Sequence, residues 1–177
     1  MMGTFYFLRH GETDFNNRQL WMGSSDILLN DKGRSQIYSL VPRIKALKIA
    51  RIYTSSLNRA IESAEIIGRE ADISAIEVVD GLSERSYGKF EGMPKNDSNY
   101  QKLLLSDSPE PYPAFLARVQ HTITSLPLST TCLVVSHSGV FKALLSNKSL
   151  IATEKNRCVI DTGELVRVDL AADQVSS

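Results

Sequence analysis

Two short, unbroken apolar runs constrain this chain more than any other feature. Phe5-Tyr6-Phe7-Leu8 and Cys132-Leu133-Val134-Val135 are each followed closely by a histidine and then a glycine, as His10-Gly11 and His137-Ser138-Gly139. A continuous apolar run of this length reads as a strand buried on both faces, the pattern of a parallel sheet covered by helices. Residues 49–54 and 75–79 read as two further strands. Apolar residues recur at helical spacing over 32–47 (Ile37, Leu40, Val41, Ile44, Leu47), with Asp31 as the candidate N-cap. Pro42 falls inside that pattern and predicts a kink or an early stop. Residues 57–70, 98–105, 114–126 and 140–145 also read as helices, the third following a rigid turn at Pro109, Pro111 and Pro113. Residues 11–30 show no sustained period and read as a loop. Residues 157–170 read as two short strands joined at Asp161-Thr162-Gly163. Strands alternating with helices predict an α/β fold with a mostly parallel sheet. No linker or repeat divides the chain, so residues 1–177 are expected to form one domain.

Composition narrows the function classes. The chain carries 20 basic and 20 acidic residues, and a formal charge of zero argues against a general nucleic-acid binder. No apolar stretch approaches the roughly 18 residues of a membrane span. The first residues, Met1-Met2-Gly3-Thr4, lack the basic flank of a signal peptide. Cys132 and Cys158 both lie in apolar runs and read as small buried hydrophobes. The chain is expected to work in a reducing, cytoplasmic compartment.

Chemistry concentrates at the strand ends. In open α/β sheets ligands bind beyond the carboxyl ends of the strands, which is where the pattern places His10 and His137. His121, inside a predicted helix, reads as an ordinary surface residue. Arg9 adjoins His10, and Gly11 allows a sharp turn and a close ligand. Arg59 opens the helix after Thr54-Ser55-Ser56. Two guanidinium forks beside a histidine suit a phosphoryl group, because arginine matches phosphate oxygens bidentately. Neither a His-x-x-x-His motif nor a cysteine pair at ligand spacing is present, so no metal or cofactor is expected.

Arg9-His10-Gly11-Glu12-Thr13 with Asn16 resembles the signature of the histidine phosphatase superfamily, the phosphoglycerate mutase-like proteins. Four further blocks resemble family segments in order: Gly23, Asp26, Leu28-Leu29 and Gly33; Tyr53 to Ala60; Leu82 to Gly92; and Val134 to Gly139. The resemblance implies a three-layer sandwich around the sheet. It implies that His10 is the nucleophile that takes the phosphoryl group, and that Arg9, Arg59 and His137 bind its oxygens. It implies that Glu84 protonates the leaving oxygen and then activates water. Asn16, Gly23, Tyr87 and the Ser138 backbone N–H would border the substrate.

Some positions depart from the family pattern. Phe15 stands where many relatives carry tryptophan, and Met22 where mutases present a small hydroxyl residue. Arg85 and Tyr87 instead resemble mutases and sugar bisphosphatases. Residues 93–135 form a shorter segment than the closing insert of mutases, which favours hydrolysis over retransfer. The reading is therefore a metal-independent phosphatase acting on a small phosphorylated metabolite. A phosphoglycerate mutase and a catalytically idle phospho-ligand or protein-binding module are the alternatives. Candidate substrates include phosphoglycerate, a sugar phosphate or bisphosphate, phosphoserine and α-ribazole phosphate. Trp21 reads as loop packing, with stacking on a base or sugar as the other role. Lys89 and Lys95 read as solvated, or as contacts to a second anionic group.

Overall fold

A computed structural model describes residues 4–127, 131–146, 150–152 and 159–170. Its six strands are β1 (Thr4–Arg9), β2 (Arg51–Thr54), β3 (Ile76–Val78), β4 (Cys132–Ser136), β5 (Leu150–Ala152) and β6 (Leu165–Leu170). They form one sheet in the order β3-β2-β4-β1-β6-β5. The first four in that order run parallel, and β6 is antiparallel to both β1 and β5. The helices are α1 (Asp14–Asn17), α2 (Asp31–Ala46), α3 (Asn58–Glu70), α4 (Asp97–Leu104), α5 (Tyr112–Ser125) and α6 (Ser138–Leu145).

Strand alternation divides the core into two layers. Phe5 and Phe7 of β1 and Val134 of β4 pack with Phe115 of α5 and Phe141 of α6 on one face. Leu8, Ile52, Leu133 and Val135 pack with Ile37 and Ile44 of α2 and Ile67 of α3 on the other. The central strands are apolar on both faces because both faces are covered. The expected three-layer α/β architecture is present.

Several local expectations change. Helix α2 runs through Pro42 without stopping. Pro42 lies on the exposed face, so the carbonyl it leaves unbonded within the helix is available to water. The N-cap of α2 is Asn30, whose side chain accepts from Gly33 N, rather than Asp31. The segment 11–30 contains α1, closed by a capping box between Thr13 and Asn16. One helical turn is too short to show a period. Helix α5 starts at Tyr112, ahead of the expected position, because Pro113 falls in its first turn where a missing N–H costs nothing.

Of the two strands expected over 157–170, the second is β6, and Asp161-Thr162-Gly163 forms the turn before it. Val159 and Ile160 are not in a strand, and residues 157–158 lie outside the described residues, as does Cys158. The partners of β6 are β1 and β5. Cys132 is buried, and His121 is exposed. No helix among the described residues is long and apolar enough to cross a membrane.

Candidate active site

Strand order builds the site. β4 lies between β1 and β2, so the carboxyl ends of all three meet. Arg9 pairs in register with Ser136, and His10 N donates to Ser136 O at 3.0 Å. The residue after each strand therefore emerges beside its neighbour, and the imidazole centroids of His10 and His137 stand 5.2 Å apart. Ser55 N donates to Val135 O at 3.0 Å, which places the end of β2 against His137.

His10 is almost fully buried. Its Nδ1 lies 2.7 Å from Gly11 O. A carbonyl can only accept, so Nδ1 carries the proton and Nε2 keeps a free lone pair. Burial, then the Arg59 and Arg9 charges, hold its pKa well below the usual histidine value. Histidine 137 is held neutral likewise, by burial and then by Arg59. Its Nε2 lies 2.8 Å from Ser55 Oγ.

The two arginines are anchored by carbonyls rather than by carboxylates. Arg9 Nη1 donates to Ile160 O at 2.9 Å. Arg59 Nη1 and Nη2 donate to Ser25 O at 2.8 Å and Gly23 O at 2.7 Å. Burial lowers the Arg59 pKa to about 10, which leaves it protonated at neutral pH. Helix α3 holds Arg59 in place through a cap brought from elsewhere in the chain. The Asp26 carboxylate accepts from Asn58 N at 2.7 Å and Asn58 Nδ2 at 2.6 Å.

Five buried side-chain polar atoms among the described residues lack a hydrogen-bond partner. Three of them are Arg9 Nε, Arg59 Nε and His137 Nδ1. Buried polar groups are normally satisfied, so their concentration around His10 marks a site suited to an acceptor-rich anion.

The Glu84 carboxylate accepts from Arg85 N and Gly139 N, each at 2.9 Å. Two other nearby acids, Glu12 and Glu91, are committed to structure. Glu12 pairs with Lys32 at 2.7 Å, which lowers its pKa. Glu91 accepts from Ser24, Ser25, Ser86 and Tyr87. Its burial opposes ionisation, but these hydrogen bonds outweigh that and lower its pKa. Glu84 is thus the acid among the three with no side-chain cation or hydroxyl on its oxygens among the described residues.

A cavity of about 550 Å³ opens on these groups, lined by Arg9, His10, Arg59 and Glu84. Asn16, Gly23, Tyr87 and Ser138 also line it. Asn16 spends Oδ1 on Thr13 N and Thr13 Oγ1, which leaves its Nδ2 as the donor end. Gly23, at φ +53°, presents its carbonyl to Arg59, and an added Cβ would strike the Glu91 carboxylate. His137 sits behind the lining, fully buried. Gly11 departs from expectation: its missing Cβ admits the backbone of Gly33 rather than a ligand.

Trp21 packs on Tyr87 with centroids 4.6 Å apart, and Lys95 Nζ lies 5.6 Å from the Trp21 ring centroid. Lys95 lines the cavity, whereas Lys89 lies over Phe90 outside it. Two further residues, Ser55 and Arg118, support the site without a role that the sequence assigns. Arg118 Nη2 pairs with Glu110 at 2.9 Å and Nη1 donates to Gly81 O and Ser83 O, tying down the segment before Glu84. The arginine in α5 gives no local signal of this; Ser55 lay in a matched block without an assigned role.

The chain matches the model of the histidine phosphatase superfamily (branch 1) over residues 5–176 and belongs to that family. It is 33% identical over 150 residues to an uncharacterized phosphatase of Bacillus subtilis, PhoE, across 80% of this chain and 75% of that one. It is 28% identical over 181 residues to a probable phosphoglycerate mutase of Cronobacter sakazakii, across 93% and 83%. A phosphoglycerate mutase structure from Thermus thermophilus superposes with a TM-score of 0.73 at 26% identity, covering 96% of this chain and 99% of that one. The chain's function is accordingly of the phosphatase or mutase-like kind.

Proposed function

We propose that this chain is a single-domain phosphomonoesterase that hydrolyses a small phosphorylated metabolite through phosphohistidine on His10. The observation that carries the reading is the Nδ1–Gly11 O hydrogen bond, which leaves a neutral Nε2 lone pair between two arginines. In the first step Nε2 attacks phosphorus and the ester P–O bond breaks. Arg9, Arg59, His137 and Asn16 Nδ2 meet the phosphoryl oxygens, with the Ser138 N–H at the start of α6 adding a neutral donor. Phosphoryl transfer depends mainly on such positioning and charge stabilisation. Glu84 gives its proton to the leaving alkoxide. In the second step it takes a proton from water, whose oxygen attacks phosphorus and releases His10 and inorganic phosphate.

Ser55 acts as a positioning residue in this scheme. Its Oγ accepts from Leu57 N at 3.2 Å and lies 3.3 Å from Ser83 Oγ, which in turn lies 3.0 Å from Ser56 Oγ. With Ser83 donating to it, Ser55 has one proton left, and that proton faces His137 Nε2. The imidazole then carries its hydrogen on Nδ1, its otherwise unpartnered atom, where an anion can accept it.

The decisive experiment traps the enzyme with nitrophenyl phosphate at alkaline pH and maps the label by mass spectrometry. Label is expected on His10, none is expected in His10→Ala, and turnover should survive exhaustive EDTA treatment. Label on His137 alone would reverse the assignment. Rescue of an EDTA-inactivated enzyme by a divalent ion would overturn the metal-independent reading.

A further inference from the structure

A second cavity, about 470 Å³, adjoins the phosphate site. The two share Trp21, Tyr87, Gly139 and Lys142 as lining residues. Gly139 is the residue whose N–H holds the Glu84 carboxylate. The proposed acid therefore stands where the two cavities meet, so an alcohol protonated by Glu84 departs toward the second one.

The walls of that cleft are aromatic. Trp21 and Tyr87 form the end next to the phosphate site. Tyr100 of α4 and Tyr112 of α5 form the outer walls, 47% and 41% exposed. Leu103 and Phe115, both buried, close the floor. The Arg85 guanidinium stands 5.7 Å from the centroids of both the Tyr87 and Tyr112 rings. Arg85 and Lys142 line the cleft, and no carboxylate does among the described residues. A lining with this much exposed aromatic surface favours an apolar, ring-bearing guest, and cations without acids disfavour a positively charged one.

We propose that this cleft binds the alcohol part of the substrate, and that this part is an aromatic or arylalkyl group, neutral or anionic. The inference rests on the phosphomonoesterase reading, because the phosphate end must sit on His10. It narrows the metabolite to esters that carry a ring a few bonds from the phosphate. Small polyhydroxy alcohols lack a face to place against Tyr100 and Tyr112.

The test compares 3-phenylpropyl phosphate with propyl phosphate, which have closely matched leaving groups, by phosphate release from the purified protein. The aryl ester should show kcat/KM about tenfold higher, the scale of one or two aromatic contacts. Tyr112→Ala should bring that ratio close to one. Tyr100→Ala, on a different helix, serves if the first variant does not fold. Using the ratio removes any general loss of activity from the comparison. Equal kcat/KM for the two esters in the unaltered protein, or a ratio unchanged in both variants, would overturn the aromatic subsite and leave the phosphatase reading intact. If neither ester is hydrolysed, the phosphatase reading fails. Calorimetry with 3-phenylpropylphosphonate and propylphosphonate then decides the subsite alone: about tenfold tighter binding of the aryl compound supports it, and equal binding removes it.

Discussion

His137 Nε2 lies 2.8 Å from Ser55 Oγ, and both residues are fully buried. The hydroxyl is part of a chain of three serines, Ser56, Ser83 and Ser55, that ends on the imidazole. Ser55→Ala leaves His137 Nε2 and Leu57 N without that partner. The buried bonds lost predict about 1–3 kcal/mol less stability. With its tautomer no longer selected, His137 should show mixed Nδ1 and Nε2 protonation by nitrogen NMR, and kcat should fall about tenfold or more. Unchanged nitrogen shifts would mean that Ser55 contributes packing only.

Glu84→Gln separates acid catalysis from pocket shape. An alkoxide needs a proton as it leaves, and nitrophenolate does not. The phosphorylation step should therefore slow about 10²–10⁴-fold on an alkyl phosphate and far less on nitrophenyl phosphate. Because water activation also suffers, rapid mixing with nitrophenyl phosphate should show a burst of nitrophenol followed by a slow phase. Equal losses on both esters and no burst would assign Glu84 to the shape of the pocket.

Gly139→Ala tests the same carboxylate from the other side of its hydrogen bond. An added Cβ would overlap the Glu84 carboxylate, the mobile end of a side chain, and so displaces the acid rather than the backbone. Thermal unfolding should change by no more than about 1 kcal/mol, since alanine also favours the helix. Turnover of alkyl phosphates should drop about tenfold or more as the proton donor moves off line. Full activity would show that Glu84 need not hold its observed position.

Two buried neutral histidines make the protein sensitive to acid. Histidines 10 and 137 have pKa values depressed below the unfolded value, which lies near 6.5. Below that value the unfolded chain binds protons that the folded chain refuses, so stability is present at neutral pH and declines as pH falls. The decline approaches about 1.4 kcal/mol per pH unit for each histidine until the folded pKa is reached. Thermal midpoints measured without ligand should fall from pH 7 to pH 5.5, and His10→Asn should roughly halve the slope. Equal midpoints would place the folded pKa values near 6.5.

The acceptor in the second step is open to direct measurement. With 3-phosphoglycerate and catalytic 2,3-bisphosphoglycerate supplied together, free phosphate is expected to form faster than 2-phosphoglycerate. Isomerisation outrunning phosphate release would make the chain a mutase.

The layered α/β plan and the placement of His10 and His137 at strand ends were legible in the amino-acid order alone. Continuous apolar runs such as Phe5–Leu8 and helical periods such as Ile37–Ile44 are local, and each demands a particular kind of neighbour before any contact is known. Covalent adjacency likewise put Arg9 beside His10, and the ordered blocks shared with the family supplied Arg59 and Glu84 as candidates. Which atoms face one another followed from the packing of the folded chain. Strand order set His137 against Ser55, and loop paths brought Asp26 to the start of α3 and Arg118 to Gly81. They also raised Tyr100 and Tyr112 from two different helices into one cleft. These are contacts between residues far apart in the chain, and no period or local propensity encodes them. The same distinction explains the altered boundaries: Pro42 stays within α2 because it lies on a solvent-facing side, a property of packing rather than of proline.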